Sequence, residues 1–389
     1  MTVQNIILLI IAAFLITLSV FPFAVRIAKR YNIVDNPNDR KLQKEPVPVF
    51  GGVAVAFGLF IPLIYAASVF HVPALWYEVA VMLCMLVIGV IDDVRGLSAW
   101  FRFAVEMFLV WVLLWRTHIV IDNFHGLWNL KQLTVYSSLP LSLIAGVGII
   151  NSINLIDGVD GYSSGYGIVA NTLFATVFFF LGENQYALFS SVAAAALLPF
   201  FLHNVFGKTS KMYIGDGGSL LIGMVMVCNI FALCSNSSVA GKLLQENGIG
   251  VVAFALAALC VPVFDTLRVM FARIADGISP FTPDKTHLHH LFIDMGFSHV
   301  GTSITIIVIN LTIVLIWLVS YMAGLGIDGQ CYLVVLLGLL ATCGLYYGMR
   351  KCEKDNNRLW KMMNRIGKWT HFEQKGAWVV MQKIVDFGC

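Results

Sequence analysis

The chain has 389 residues, of which 59% are hydrophobic and only 12% are charged, and its mean hydropathy is +0.82. Soluble domains carry about 25% charged residues, so this composition excludes a cytosolic globular enzyme and a disordered protein. The net charge of +3 is uninformative by itself, and eight scattered cysteines without a CxxC pair exclude a disulfide scaffold. A polytopic membrane protein remains.

Long apolar runs recur along the whole chain and are continuous rather than alternating, which favours helices over a barrel. They predict an all-α integral membrane bundle of about eleven transmembrane helices. The predicted spans are 5–25, 51–70, 74–91, 99–115, 139–155, 162–181, 186–206, 218–234, 249–265, 302–323 and 331–348.

The distribution of basic residues predicts the orientation. With the N-terminus outside and alternating spans, 22 of the 25 Lys and Arg residues fall on one side. The positive-inside rule makes that side cytoplasmic and places the C-terminus there too. We expect residues 1–348 to form the membrane domain. Residues 349–389 form a basic amphipathic tail, predicted to lie on an anionic bilayer surface, with a plain solvated tail as the alternative.

The first cytoplasmic loop and the end of the third span carry the first candidate site residues. Loop 26–50 contains six basic residues, and Arg40 and Lys44 are candidate contacts for an anionic substrate in addition to their effect on topology. Asp92 and Asp93 follow an apolar run directly. Such adjacent carboxylates suit Mg²⁺ or a base with a coupled titration, although acids at a solvated helix end are the alternative.

Four polar residues at a spacing of three mark the next cytoplasmic connection: Asn151, Asn154, Asp157 and Asp160. At helical spacing they share a stripe that begins inside an apolar helix and emerges into a glycine-flanked turn. Because intramembrane Asp is rare, the stripe indicates a functional site. A polar seam between helices is the alternative.

A glycine-rich turn precedes the eighth span, in the segment Tyr213-Ile-Gly-Asp216-Gly-Gly-Ser. Such a turn at a helix N-terminus offers backbone N–H groups to an anion, and Asp216 is a candidate metal ligand. A simple loop with a capping Asp is the alternative.

Three histidines within four positions follow in the longest internal cytoplasmic loop, where His287, His289 and His290 come shortly after Lys285. No HExxH motif occurs, and Asp284 is the only near acid that would complete a zinc site. The basic and histidine side chains therefore fit a pyrophosphate clamp better than zinc.

All four clusters fall on the same predicted face of the membrane, which indicates chemistry on a water-soluble substrate there. A secondary transporter is the alternative from another class, but it predicts inverted repeats and broken mid-membrane helices with ionisable groups near mid-span. A non-catalytic scaffold would not need four clusters suited to metal and phosphate. No nucleic-acid partner is expected, and a homodimer is left open.

The segments IDDVRG, NSINLIDGVDG, YIGDGGS and SPFTPDKTHLHH occur in this order, and the resemblance that they carry extends over nearly the whole chain, from loop 26–50 to the eleventh span. Together they resemble the polyprenyl-phosphate N-acetylhexosamine-1-phosphate transferases of the MraY-like superfamily, and most closely the WecA/TagO-type branch. Transferases of phospho-MurNAc-pentapeptide carry three consecutive histidines, whereas Leu288 interrupts the run here. That peptidoglycan activity is therefore the alternative within the family.

The resemblance implies transfer of a sugar-1-phosphate from a UDP-N-acetylhexosamine, most often UDP-GlcNAc, to undecaprenyl phosphate in the bacterial plasma membrane. It implies Mg²⁺, with Mn²⁺ as a substitute, and release of UMP. The implied roles are metal binding for Asn154 and Asp216, uracil binding for Asp160 and Tyr213, catalysis for Asp92 and Asp93, and sugar-phosphate contact for the histidines. We add Asp157 and His289 as catalytic candidates, and direct attack by the lipid phosphate competes with an aspartyl-phosphate route.

Overall fold

The computed structural model describes residues 2–35, 46–130, 132–282, 284–372 and 376–387. The described chain is mainly helical, as the composition predicts. Its first half contains two short strands, β1 (Val34–Asp35) and β2 (Val47–Pro48), and the helices α1 (Val3–Arg30), α2 (Gly51–Val69), α3 (Pro73–Arg95), α4 (Ala99–Thr117), α5 (Val135–Leu155), α6 (Tyr162–Phe180) and α7 (Asn184–Phe206).

The second half continues the bundle and adds the tail. Its helices are α8 (Gly215–Cys234), α9 (Val239–Glu246), α10 (Val251–Ala258), α11 (Cys260–Ala275), α12 (Leu288–Asp294), α13 (His299–Met322), α14 (Ile327–Leu339), α15 (Leu345–Lys354), α16 (Arg358–Trp369) and α17 (Gly376–Asp386). A π-helical turn at Leu340–Gly344 joins α14 to α15 into one long rod.

Within the described residues, nine helices are long and apolar enough to cross a bilayer, or ten if a bent pair counts as one span. The eleven predicted spans are thus matched in architecture but not in number. The predicted fourth span is helix α4, which has 19 residues and contains Arg102, Glu106 and Arg116. Its charged residues explain why it is not among the nine.

The predicted ninth span is a broken helix. Helices α10 and α11 meet at an angle of 76° around Leu259. The side chain of Asn310 in α13 supports the break, because its Oδ1 accepts a hydrogen bond from the N–H of Val261 at 2.9 Å. The same amide donates to the carbonyl of Ala257 at 3.1 Å. A backbone interruption inside a membrane protein needs such partners, since lipid offers none.

Helix α8 lies at the centre of the bundle and packs on α2, α3 and α5. Small residues allow this close approach: a Cβ on Gly89 of α3 would lie 2.4 Å from Cα of Gly217, and a Cβ on Gly52 of α2 would lie 2.4 Å from Cα of Gly218. Glycine contacts of this kind are common where membrane helices cross closely. The glycines beside Asp216 therefore bring three helices together at one end of the bundle.

The two short strands hold the segment that leads into α8. They pair antiparallel, with Val34 opposite Pro48. The carbonyl of Pro48 accepts a hydrogen bond from the N–H of Tyr213 at 2.8 Å, and the carbonyl of Tyr213 accepts one from Gly51 at 3.0 Å. The segment between α1 and α2 is thereby joined to the segment that carries Tyr213 and Asp216.

Candidate active site

A cleft of about 410 Å³ opens where α3 ends and α8 begins. Six of the predicted site residues line this cleft: Asp93, Asp157, Asp160, Tyr213, Asp216 and His290. They come from four separate connections between helices. Packing of the helices therefore brings residues that are distant in the chain to one place. Their chemical roles stay predictions.

Asp93, in the last turn of α3, lies against the first turn of α8. Its Oδ1 accepts a hydrogen bond from the N–H of Asp216 at 2.8 Å, and its Oδ2 accepts one from the N–H of Gly217 at 3.2 Å. A carboxylate at a helix N-terminus satisfies free N–H groups and opposes the helix dipole favourably. The prediction that this turn offers its N–H groups to a substrate anion is wrong for these two groups, because Asp93 takes them.

Asp92 does not share the environment of its neighbour, because successive helix residues point about 100° apart. Its side chain is 7% exposed and pairs with Nη1 of Arg102 at 2.9 Å. The same guanidinium lies 3.5 Å from Glu106 and 3.6 Å from Asp216. One cation thus faces three carboxylates behind the cleft, and Asp92 holds that cation in place.

Asn154 and Asp216, the two residues that the resemblance associates with a metal, are in direct contact. The side-chain amide of Asn154 donates to Oδ1 of Asp216 at 2.7 Å and to Oγ of Ser219 at 2.9 Å. One turn earlier on α5, Asn151 donates to Glu106. The predicted polar stripe therefore begins as contacts between helices, and only its later residues reach the cleft.

The donor set of the cleft fits Mg²⁺. Among the residues that the structure describes, no three His, Cys, Asp or Glu side chains form a ready metal site. Magnesium, however, is usually held by one or two carboxylates while phosphates and water complete its shell. The carboxylates of Asp93, Asp157 and Asp216 line one cleft, and such grouped oxygen donors match that requirement.

Asp157 lies in the turn after α5, and its carboxylate accepts a hydrogen bond from the hydroxyl of Ser163. Burial raises the pKa of Asp157 from the usual 3.8 to about 7. The hydrogen bond from Ser163 lowers this pKa, whereas the negative charges of Asp216 and Asp160 raise it further. A carboxyl with a pKa near neutrality is suited to exchange a proton at physiological pH.

Asp160 is held by two cationic or potentially cationic groups. Its Oδ2 lies 2.6 Å from the Lys211 ammonium and 3.2 Å from Nδ1 of His299. Burial by itself would raise the pKa of Asp160, but the hydrogen bond from His299 and the charge of Lys211 outweigh it and keep the pKa below its usual value. The second oxygen, Oδ1, is buried and has no hydrogen-bond partner in the described part of the protein.

The three histidines occupy different positions. His287 is buried and its Nδ1 lies 3.0 Å from Oδ2 of Asp265. His289 is also buried and packs under Gly158, where a Cβ would lie 2.5 Å from its Nε2. His290 alone of the three lines the cleft. Burial lowers the pKa of both His289 and His290, so they are mainly neutral near pH 7.

Other predicted site residues lie elsewhere. Lys285 is exposed and is not among the residues that line the cleft. Arg40 and Lys44 lie outside the described residues.

Sequence reasoning overlooked three residues of this region as site candidates: Arg102, Lys211 and His299. Arg102 and Glu106 form an ion pair four residues apart in a helix, and ionisable residues inside an apolar segment are functional candidates. This signal can be read from the sequence, because both residues lie within an apolar run. Lys211 and His299 carry no comparable signal, since their importance depends on both approaching Asp160.

Comparison with known proteins identifies relatives of this chain. Residues 75–234 match the family described as glycosyl transferase family 4. The chain is 28% identical to the undecaprenyl-phosphate alpha-N-acetylglucosaminyl 1-phosphate transferase of Escherichia coli O157:H7, over 92% of each chain. It is 26% identical to a probable undecaprenyl-phosphate N-acetylglucosaminyl 1-phosphate transferase of Bacillus subtilis, over 76% of this chain and 79% of the relative.

A third relative is more similar in sequence over a shorter region. The decaprenyl-phosphate N-acetylglucosaminephosphotransferase of Mycolicibacterium smegmatis is 32% identical, over 70% of this chain and 71% of its own length. The family match includes the turns that carry Asp93, Asp157 and Asp216. On this sequence similarity, the chain belongs to glycosyl transferase family 4.

Proposed function

We propose that this protein transfers N-acetylhexosamine-1-phosphate, with GlcNAc-1-phosphate as the first choice, from a UDP-sugar to undecaprenyl phosphate. UMP leaves, and the product is the first lipid-linked intermediate of a cell-surface glycan. The observation that carries the proposal is the cleft lined by Asp93, Asp157 and Asp216 at one end of a membrane-helix bundle. The names of the relatives, which specify polyprenyl phosphate and N-acetylglucosamine, support it.

The charges around the cleft suit a pyrophosphate. Asp216 and Asn154, with Asp93 beside them, would hold Mg²⁺, which would supply Lewis-acid stabilisation of charge on phosphate oxygens. Arg102 lies within 3.6 Å of Asp216. Its positive charge offsets the grouped carboxylates and favours an anionic substrate at this position.

The chemistry we propose is attack by an oxygen of the lipid phosphate on the β-phosphorus, which breaks the bond to the bridging oxygen and releases UMP. A phosphate monoester has a second pKa near 6, so the lipid phosphate is largely deprotonated near pH 7. Asp157, with a pKa of about 7, is suited to accept the remaining proton. Base catalysis therefore contributes less than positioning and electrostatic stabilisation.

The adjacent aspartates favour direct attack over a covalent route. Asp93 accepts two backbone hydrogen bonds, and Asp92 accepts one from Leu97 and one from Arg102. A carboxylate that forms an aspartyl phosphate would have to give up such bonds. The geometry thus supports an organising role for this pair.

We propose that the cleft faces the cytoplasm of a bacterial plasma membrane, with the N-terminus outside. The positive-inside asymmetry of 22 to 3 basic residues supports this orientation. The broken span α10–α11 is a feature that secondary transporters also show. The ionisable groups described above nevertheless gather at one end of the helices, which supports the transferase.

The test is UMP release by the purified protein in lipid nanodiscs, with undecaprenyl phosphate, Mg²⁺ and a panel of UDP-sugars. We expect turnover with UDP-GlcNAc or another UDP-N-acetylhexosamine, and none when undecaprenyl phosphate is omitted. Turnover only with UDP-MurNAc-pentapeptide would instead assign the peptidoglycan reaction. No UMP with any donor would end the proposal.

A further inference from the structure

The C-terminal tail folds back against the protein on the side of the candidate active site. At the end of α16, the hydroxyl of Thr370 accepts a hydrogen bond from the N–H of Ser298 at 3.0 Å. The hydroxyl of Ser298 donates to the carbonyl of Thr370 at 2.7 Å. The ring of His371 contacts the carbonyl of Gly296 at 3.2 Å. These contacts attach α16 to the turn that carries His299.

Helix α17 makes a second attachment. The carboxylate of Asp386 accepts hydrogen bonds from the N–H groups of Lys208, at 3.1 Å, and Ser210, at 3.0 Å, and from the Ser210 hydroxyl at 2.8 Å. The ring of Trp378 lies on Phe206, with centroids 4.5 Å apart. These contacts fix the loop between α7 and α8, which carries Lys211.

The two attachments meet at Asp160. Lys211 and His299, which follow the two attached segments, both hold Oδ2 of that carboxylate. Its other oxygen, Oδ1, is buried and unpartnered in the described residues. An unpartnered buried acceptor is costly, so it favours a ligand that donates an N–H or O–H group.

A second cavity of about 760 Å³ lies between the tail and the bundle. It shares Asp160, Tyr213 and His299 with the first cleft, so the two cavities are adjacent. His371, Trp378 and Gln382 form its tail side. Its size is within the range of small-molecule sites, and its mixture of aromatic and basic side chains suits a nucleoside phosphate.

We propose that the C-terminal tail forms a wall of the donor site and encloses the nucleoside of the UDP-sugar, whose uracil the family resemblance already associates with Asp160 and Tyr213. This inference rests on the proposed function. The undecaprenyl chain offers no N–H or O–H group to Asp160, and a phosphate would be repelled by that carboxylate. The nucleoside carries imide and hydroxyl donors, and aromatic side chains such as Tyr213 and Trp378 can pack on its base.

The tail is therefore more than a surface anchor. It positions Lys211 and His299 around Asp160, and it encloses the nucleoside. The predicted contact of α16 with a lipid surface is compatible with this, because Leu359, Met362 and Trp369 remain exposed.

The first experiment uses the full chain with Asp386→Asn or Trp378→Ala, and Asp355→Asn as a matched control at an exposed tail position. We expect each of the first two to raise both the KM for UDP-GlcNAc and the Kd for UMP by roughly three- to tenfold, with the KM for undecaprenyl phosphate unchanged. The control should match the wild type. Unchanged UMP affinity in both variants would overturn the proposal, even if the KM for the donor rises, because the nucleoside would then lie elsewhere.

A labelling experiment covers the case in which those variants do not fold. A cysteine is introduced by Gln382→Cys, which lines the cavity, or by Lys383→Cys, which is exposed beside it. The rate of maleimide labelling is measured by peptide mass spectrometry, which distinguishes the introduced cysteine from the native cysteines. UMP should slow labelling at 382 roughly threefold or more and leave 383 unaffected. Equal rates at 382 with and without UMP would overturn the proposal. UMP binding requires no turnover, so an inactive wild type that is protected by UMP would count against the proposed reaction alone.

Discussion

The contact between Gly89 and Gly217 allows a sharp test of how the site is assembled. In Gly89→Ala, the new Cβ would lie 2.4 Å from Cα and 2.5 Å from N of Gly217, both backbone atoms that cannot rotate away. Ordinary contact begins at 3.4 Å. Helix α3 must therefore move from α8 by about 1 Å, which carries Asp93 away from the N–H groups of Asp216 and Gly217. Overpacking of this kind costs about 1–3 kcal/mol of stability.

The functional cost is expected to exceed the cost in stability. A displacement of about 1 Å at a reacting centre can lower a rate by about 10²-fold. UMP release and the thermal unfolding midpoint would be measured together on the variant and on Gly148→Ala. A Cβ on Gly148, which lies in α5, meets nothing within 4 Å, so this control should behave as the wild type. Wild-type turnover by Gly89→Ala would refute the idea that this helix contact sets the position of Asp93.

The remaining predictions concern charge. Arg102→Gln leaves the carboxylates of Asp92 and Glu106 without their cation, so we expect about 3–5 kcal/mol of destabilisation and loss of UMP release. Arg95→Gln, at an exposed position, is the control. An equal effect of both substitutions would contradict the role of the buried ion pairs. Since the pKa of Asp157 is raised from 3.8 to about 7, its protonation favours the folded state below pH 4, and this stability is lost as the pH rises through about 7. In EDTA, the thermal unfolding midpoint should therefore fall less between pH 5 and 8 for Asp157→Asn than for the wild type. Parallel curves of the midpoint against pH would show that Asp157 is not buried in this way. Chelation by EDTA should abolish UMP release and Mg²⁺ or Mn²⁺ should restore it, whereas full activity in EDTA would exclude a divalent ion.

The sequence predicts the architecture well because the apolar runs have a direct physical cause. A span must be long and apolar, and this can be read along the chain. Helix α4 shows where that reasoning ends. Its Arg102 and Glu106 form buried contacts with residues from other helices, so its place in the bundle depends on partners that no local pattern reveals.

The candidate site is predicted in composition but not in arrangement. The sequence predicts that the adjacent aspartates act as one pair, yet Asp93 binds the start of α8 while Asp92 binds Arg102. The sequence likewise predicts that His289 and His290 belong to one cluster, although His289 is buried away from the cleft that His290 lines. Which residue of a close pair faces a cleft depends on how the helices are rotated, and that is fixed by packing between distant segments.

The burial of α8 has a consequence for how the protein responds to its membrane. Apart from Asp216, every residue of this helix is buried. The helix therefore has no lipid neighbours, and the surrounding helices alone fix its tilt. A change in bilayer thickness acts first on lipid-facing helices. The position of the acidic residue at the start of α8 is thus insulated from the lipid, which suits the proposed reaction, whose lipid substrate and product would be components of that bilayer.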